Sequence, residues 1–192
     1  FFIVGSGRAG TTLLRRILQS NPQVHIPPEI WSFKKTYNKF IEYRSFLSWT
    51  DLVPVLTHRY IEGSDFDEDF EAKSFKLIQE TAGLSAEKQT LAKFVDTMNR
   101  AHGRHQGADF SRWGDKTPLN SFCLDEIIEV FPDSRFVHLI RDPADVIYSY
   151  LSNKMVSNLE SGADRWIRSV QSVVDFRREN DRVIDVKYED LV

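Results

Sequence analysis

Cysteine is nearly missing from this sequence: Cys123 is the only one in 192 residues. No internal disulfide can form, which points to a reducing, cytoplasmic compartment. Long apolar runs are missing too. None approaches the ~20 residues that cross a bilayer, so no membrane segment is expected. There is no excess of positive charge, with 25 Lys and Arg against 28 Asp and Glu and a net charge of −3. A nucleic-acid partner is therefore not expected. The chain has no repeat, low-complexity tract or linker. With 41% hydrophobic and 28% charged residues it suits one ordinary globular domain. It opens inside an apolar run without a methionine and stops abruptly at Leu191–Val192. It therefore reads as incomplete at both ends, which leaves the Golgi lumen as the alternative compartment.

One further absence concerns a single position. The segment "VGSGRAGTTLL", Val4 to Leu14, has the Gly5–Gly10 spacing of a nucleoside-triphosphate loop, but Thr11 stands where the loop lysine belongs and Thr12 where the hydroxyl belongs. The glycines Gly5, Gly7 and Gly10 permit a tight turn ahead of a helix that starts near Thr11. Backbone amides and the helix dipole at that point favour an anion. Arg8 supplies a cation inside the loop, and Thr11 and Thr12 add hydroxyls. A plain strand–helix turn is the alternative.

Around this loop the chain reads as α/β. Phe1–Val4 is a buried strand by its apolar run, and Leu13, Leu14, Ile17 and Leu18 give the following helix an apolar stripe. Val24–Ile26 is a second strand, cut off by Pro27–Pro28. Residues from about 30 to 106 read as a helical insertion, rich in aromatics between Trp31 and Trp49, most of which are expected in the core. "HGRHQGADFS", His102 to Ser111, reads as a loop, and a helix is expected from about Leu119 to Phe131. Arg135–Ile140 is a strand, Pro143 opens a helix, Trp166 to Val174 marks another, and Val183–Val186 is a last strand. The expectation is a three-layer α/β fold around a central parallel sheet.

Three further segments carry possible chemistry. "RFVHLIRDPADVIYSYLSN" delivers Arg141 at the carboxyl end of a strand, where open α/β sheets bind ligands, and Ser149 eight residues later on a helix. Arg141 can grip a phosphate as a charged fork, or it can pair with Asp142 or Asp145. "WGDKTP" places Lys116 at a strand end, where it can neutralise developing charge or form a salt bridge. "HIPPEIW" sets Glu29 after two stiffening prolines, where it can be a general base or a solvated loop residue. His102 and His105 lie three apart without a cysteine or carboxylate cluster in register, so no metal site is expected. Cys123 reads as a small apolar filler on a helix, and His138 as a core or near-core strand residue.

"GSGRAGTTLLRRIL", "GDKTP", "RFVHLIRDPADVIYSYL" and "VKYEDLV" resemble, in order, the motifs of sulfotransferases that use 3′-phosphoadenosine 5′-phosphosulfate (PAPS). That resemblance implies a P-loop-like α/β fold and a donor without a γ-phosphate–magnesium unit, which accounts for the missing lysine. By resemblance, Gly7, Arg8, Ala9, Gly10, Thr11 and Thr12 bind the 5′-phosphosulfate, and Arg141 with Ser149 binds the 3′-phosphate. Cytosolic small-molecule sulfotransferases place a histidine base two residues after the lysine, but Pro118 stands there. The tyrosylprotein sulfotransferase branch has a loop arginine and a downstream glutamate base. Glu29, 21 residues after Arg8, takes that place. The chain departs from that branch at Trp31, where the branch has arginine, and at Pro27 and Asp115, where it has a disulfide. These departures point to a bacterial-type relative with another hydroxyl acceptor.

The resemblance implies in-line sulfuryl transfer, an EC 2.8.2 type of reaction. Glu29 is the base, Lys116 and Arg8 stabilise the transferring group, PAP is the product and no metal takes part. The acceptor hydroxyl belongs to a small molecule, sugar, lipid or protein tyrosine, with the helical insertion facing it. A nucleotide-dependent kinase with a degenerate loop and a non-enzymatic nucleotide-binding module are the alternatives.

Overall fold

The computed structural model describes residues 1–192. In chain order its elements are β1 (Phe2–Gly5), α1 (Thr11–Gln19), β2 (Val24–His25), α2 (Phe33–Tyr43), α3 (Trp49–Glu62), α4 (Glu68–Ala72), α5 (Ser74–Ala82), α6 (Leu91–His105), β3 (Arg112–Trp113), β4 (Asp115–Lys116), α7 (Leu124–Val130), β5 (Phe136–Ile140), α8 (Pro143–Ser152), α9 (Leu159–Glu179) and β6 (Val183–Lys187). The chain forms two compact units, residues 1–20 with 116–192, and residues 21–115. No helix is long and apolar enough to cross a membrane.

The first unit is built on a sheet of order β4-β1-β5-β6. β1 runs parallel to β5, with Phe2 opposite Phe136 and Gly5 opposite Leu139, and β5 runs parallel to β6 from Phe136–Val183 to Ile140–Lys187. The central strands are buried on both faces, so they read as unbroken apolar runs. Phe2, Ile3, Val4, Phe136 and Leu139 are all inaccessible or nearly so. Phe2 stacks on Phe136 at 5.8 Å between centroids, and Phe136 meets Phe176 of α9 edge-on at 5.3 Å. α9 starts at a capping box in which Asn158 accepts from Ser161 N and the Ser161 hydroxyl accepts from Asn158 N. This is the α/β fold with a central parallel sheet that the motif order implied.

The second unit is helical apart from the short parallel pair β2–β3, which matches Val24 to Arg112 and His25 to Trp113. Three of its helices start at side-chain caps: Ser48 accepts from Asp51 N, Asp67 from Phe70 N and Thr90 from Lys93 N. The aromatic core lies later in the chain than its composition suggested. Of the aromatics from Trp31 to Trp49 only Phe33 is buried, while Trp31 and Phe46 are exposed. Tyr60, Phe66, Phe70 and Phe94 fill the interior instead, with Tyr60 and Phe94 edge to face at 5.8 Å. The expected loop from His102 is also partly helix, because α6 continues through Gly103 to His105. A Cβ at Gly103 would run into the Phe110 ring, so the glycine there serves a close approach and not a turn. Similarly, the helix expected from about Leu119 begins as a 3-10 turn over Pro118–Phe122, and Cys123 separates it from α7.

His138 lies in the sheet interior, donating from Nδ1 to Asp185 Oδ1 at 3.0 Å, with its Nε2 buried and unpartnered. Burial holds this imidazole below its ordinary value of 6.5, against the opposing pull of Asp185. The fold therefore prefers the neutral ring. Unfolding takes up a proton once the pH drops below 6.5, so this contribution is fully present above 6.5 and is lost as the pH falls through the folded value. His138→Asn keeps a donor toward Asp185 but cannot titrate. Urea midpoints measured from about pH 8 to about pH 5 should fall less steeply for the variant than for the parent below the ordinary histidine range. Parallel curves would contradict the assignment.

Candidate functional site

The loop between β1 and α1 is shaped by three contacts. Gly5 has φ 138°, and a Cβ there would strike the Leu139 carbonyl of β5. Its N–H donates to Ser121 Oγ at 2.9 Å, and that hydroxyl faces the Gly5 and Pro118 carbonyls in return. Ser6 Oγ lies 2.8 Å from the Tyr150 hydroxyl inside the unit, and Ala9 is buried against Val146 and Tyr150. Arg8 takes φ 66°, a left-handed conformation that costs a non-glycine residue of order 1 kcal/mol, and it stays exposed. Gly10 is the N-cap of α1 at φ 97° and offers no side-chain cap. The first amides of α1, at Thr11 and Thr12, thus stand at the positive end of the helix without a side-chain cap. Thr11 is buried and Thr12 exposed.

Arg141 leaves the carboxyl end of β5. One terminal nitrogen donates to Asp145 Oδ2 at 2.9 Å, as the salt-bridge alternative anticipated. Its guanidinium also lies 4.3 Å from the Tyr188 ring centroid, and its Nε is buried without a hydrogen-bond partner. Tyr188 follows β6, and its ring fills the space a Cβ at Gly10 would take. Beside it, Glu189 accepts from Asp142 N at 3.0 Å. That bond holds the Glu189 carboxyl below its usual range and ties the segment after β6 to the start of α8. Ser149 of α8 accepts from Arg8 Nε at 2.9 Å. The structure thus brings Arg8 and Ser149 together, although the motifs assign them to opposite ends of the donor. Lys116, at the end of β4, is 4% exposed. The loop, Lys116 and Arg141 all lie at the carboxyl ends of the strands, where parallel sheets bind ligands.

In the second unit, Glu29 is half-buried and accepts from Trp31 Nε1 at 2.8 Å. The buried rings of His25 and His102 meet through Nε2 and Nδ1 at 3.1 Å. His105 is grouped with Asp67 and Asp69, whose ligand atoms lie within 4.8 Å of one another. The Lys73 ammonium already sits 2.8 Å from Asp69 Oδ2 and 3.2 Å from His105 Nδ1.

A profile described as the sulfotransferase family matches residues 1–192. The chain belongs to that family. It is 25% identical over 201 residues to a protein-tyrosine sulfotransferase of Drosophila melanogaster, an alignment that covers 100% of this chain and 34% of the fly protein. In fold it is similar to the sulfotransferase domain of the olefin synthase of Synechococcus PCC 7002, with a TM-score of 0.57, 21% identity, and 99% of this chain and 66% of that one covered. Sulfotransferase STF1 of Mycobacterium tuberculosis H37Rv is also similar, with a TM-score of 0.53, 19% identity, and 99% and 62% covered. The chain spans 34% of the length of the fly relative and about two thirds of the solved ones.

The motif "VKYEDLV" contains Tyr188. In the fold, its tyrosine touches both the loop and Arg141. Gly10→Ala should destabilise the protein by roughly 1–3 kcal/mol, from the left-handed backbone and the clash with the ring. Because part of that loss is the clash, Gly10→Ala combined with Tyr188→Ala should cost less than the sum of the two single changes. Denaturant titration of the four proteins checks this. Strict additivity would show that ring and glycine do not meet.

Proposed function

We propose that this sulfotransferase chain moves a sulfuryl group from PAPS to an acceptor hydroxyl by in-line displacement. The observation that carries the donor assignment is Arg141. A guanidinium N–H buried without a partner is costly unless a ligand accepts from it, and a phosphate oxygen is the acceptor such a fork fits best. Exposed Arg8 and the side-chain-free start of α1 supply the donors for a second anionic group. PAPS carries two such groups.

When bound, PAPS supplies an activated sulfuryl group whose bond to the 5′-phosphate is weak. The acceptor oxygen forms its bond to sulfur as the bridging S–O bond breaks, and that electron pair leaves on the phosphate of PAP. Glu29 accepts the hydroxyl proton, a role that rests on its motif position relative to Arg8. Lys116 and Arg8 offset the charge that gathers on the equatorial and leaving oxygens, so positioning and electrostatics supply most of the rate. The acceptor is a hydroxyl of a small molecule, sugar, lipid or protein tyrosine. The fly relative's name supports the last, and Trp31 and the absent disulfide positions argue for one of the others.

PAP should raise the melting temperature without magnesium, by the equivalent of about 2.7 kcal/mol at ~100 times its dissociation constant. A shift with ATP–magnesium and none with PAP would reject the donor. Arg141→Ala should weaken PAP by roughly tenfold to a hundredfold, while adenosine 5′-phosphosulfate, which lacks the 3′-phosphate, loses little. Ser149→Ala should act in the same direction more mildly, and equal losses for both ligands would make these residues structural. Glu29→Gln should lower turnover by about 10²–10⁴-fold with PAP affinity retained. Near-normal turnover would remove Glu29 as base. Titration calorimetry and initial rates read these outcomes.

A further inference from the structure

Between Glu29 and Trp31 lies Ile30, which is inaccessible to solvent. The stretch is held at several points. Asp65 N donates to the Glu29 carbonyl at 2.9 Å, Ile30 bridges Ser64 in antiparallel fashion, and Ser32 Oγ donates to the Tyr60 carbonyl at 3.0 Å. Gly63 lies where a Cβ would strike Ser32, so this clamp is tight. From it projects the Trp31 indole, 51% exposed, with its N–H on Glu29 Oε2 at 2.8 Å.

We propose that Trp31 is a positioning and acceptor-selecting residue. Its N–H fixes the Glu29 carboxylate, and its open ring face supports an uncharged, ring-bearing acceptor beside that carboxylate. This rests on Glu29 being the base. An indole N–H donates and never accepts, so it orients the carboxylate without competing for the acceptor's proton. Two side-chain torsions and one charge-assisted hydrogen bond leave the ring little freedom, which makes it a rigid stacking surface. Its neutrality matters equally. A cation at this position would attract acidic acceptors, whereas an indole gives them no partner and favours flat apolar rings.

The two functions separate in two variants. Trp31→Phe keeps a ring and loses the N–H. Trp31→Ala loses both. With 2-naphthol as the ring-bearing probe and 1-hexanol as the open-chain probe, Trp31→Phe should lower kcat about tenfold and leave the KM for 2-naphthol near that of the parent. Trp31→Ala should lower kcat similarly and also raise the 2-naphthol KM about tenfold, with little change for 1-hexanol. Calorimetry of 2-naphthol binding to the PAP-loaded protein should show the same split without turnover. Full kcat in Trp31→Phe, an unchanged naphthol affinity in Trp31→Ala, or no naphthol binding by the parent would overturn the proposal. Glu29→Gln run alongside tells the two readings apart. If that variant is inactive while Trp31→Phe is fully active, only the positioning role fails. If Glu29→Gln turns over normally, the base assignment fails and this proposal with it. PAP affinity and melting temperature should stay near parental in both Trp31 variants, because the ring is exposed; loss of either would assign Trp31 a structural role instead.

Discussion

The ring of Tyr188 lies against Gly10 and also beneath the Arg141 guanidinium. The two elements proposed to bind anions, the β1–α1 loop and the end of β5, come from different strands and meet on this one ring. A cation–π contact of this kind contributes of order 1 kcal/mol when partly desolvated, and its geometric effect is larger than its energy. It aims a guanidinium whose buried Nε has no partner within the protein. Glu189 extends the same frame by accepting from the Asp142 amide at the start of α8. The site is thus set by contacts among strand ends, as expected for a catalytic apparatus that must be held to within a fraction of an ångström.

Glycine and backbone strain lie where the donor's anions are proposed to bind. Gly5 is left-handed because β5 approaches too closely for a Cβ, Gly10 because Tyr188 does, and Arg8 adopts a left-handed conformation without glycine's freedom. Ser121 relieves part of the local demand by pairing with both backbone groups of Gly5. These contacts fix the turn of the loop from both sides.

Much of this was legible from one sequence. The strand–glycine loop–helix opening, the strand leading to Arg141 and the parallel sheet followed from apolar runs and glycine spacing, which are local signals. What escaped the sequence depended on distant partners. Gly103 looked like a loop residue because nothing near it in sequence shows that Phe110 occupies its side-chain space. The aromatics from Trp31 to Trp49 looked like core by composition, while the helices around Tyr60 and Phe94 supplied the actual core. Pairing of Arg8 with Ser149 spans 141 residues, and no spacing rule reaches that far. The Trp31–Glu29 bond is local, but no spacing rule shows that the indole N–H meets that carboxylate.

The Arg8–Ser149 hydrogen bond makes the unliganded site its own first ligand. Under the proposed donor assignment, an anion that takes Arg8 Nε frees the Ser149 hydroxyl, which can then donate to the 3′-phosphate. The same bond ties the β1–α1 loop to α8 across 141 residues, so a change at either end is felt at the other.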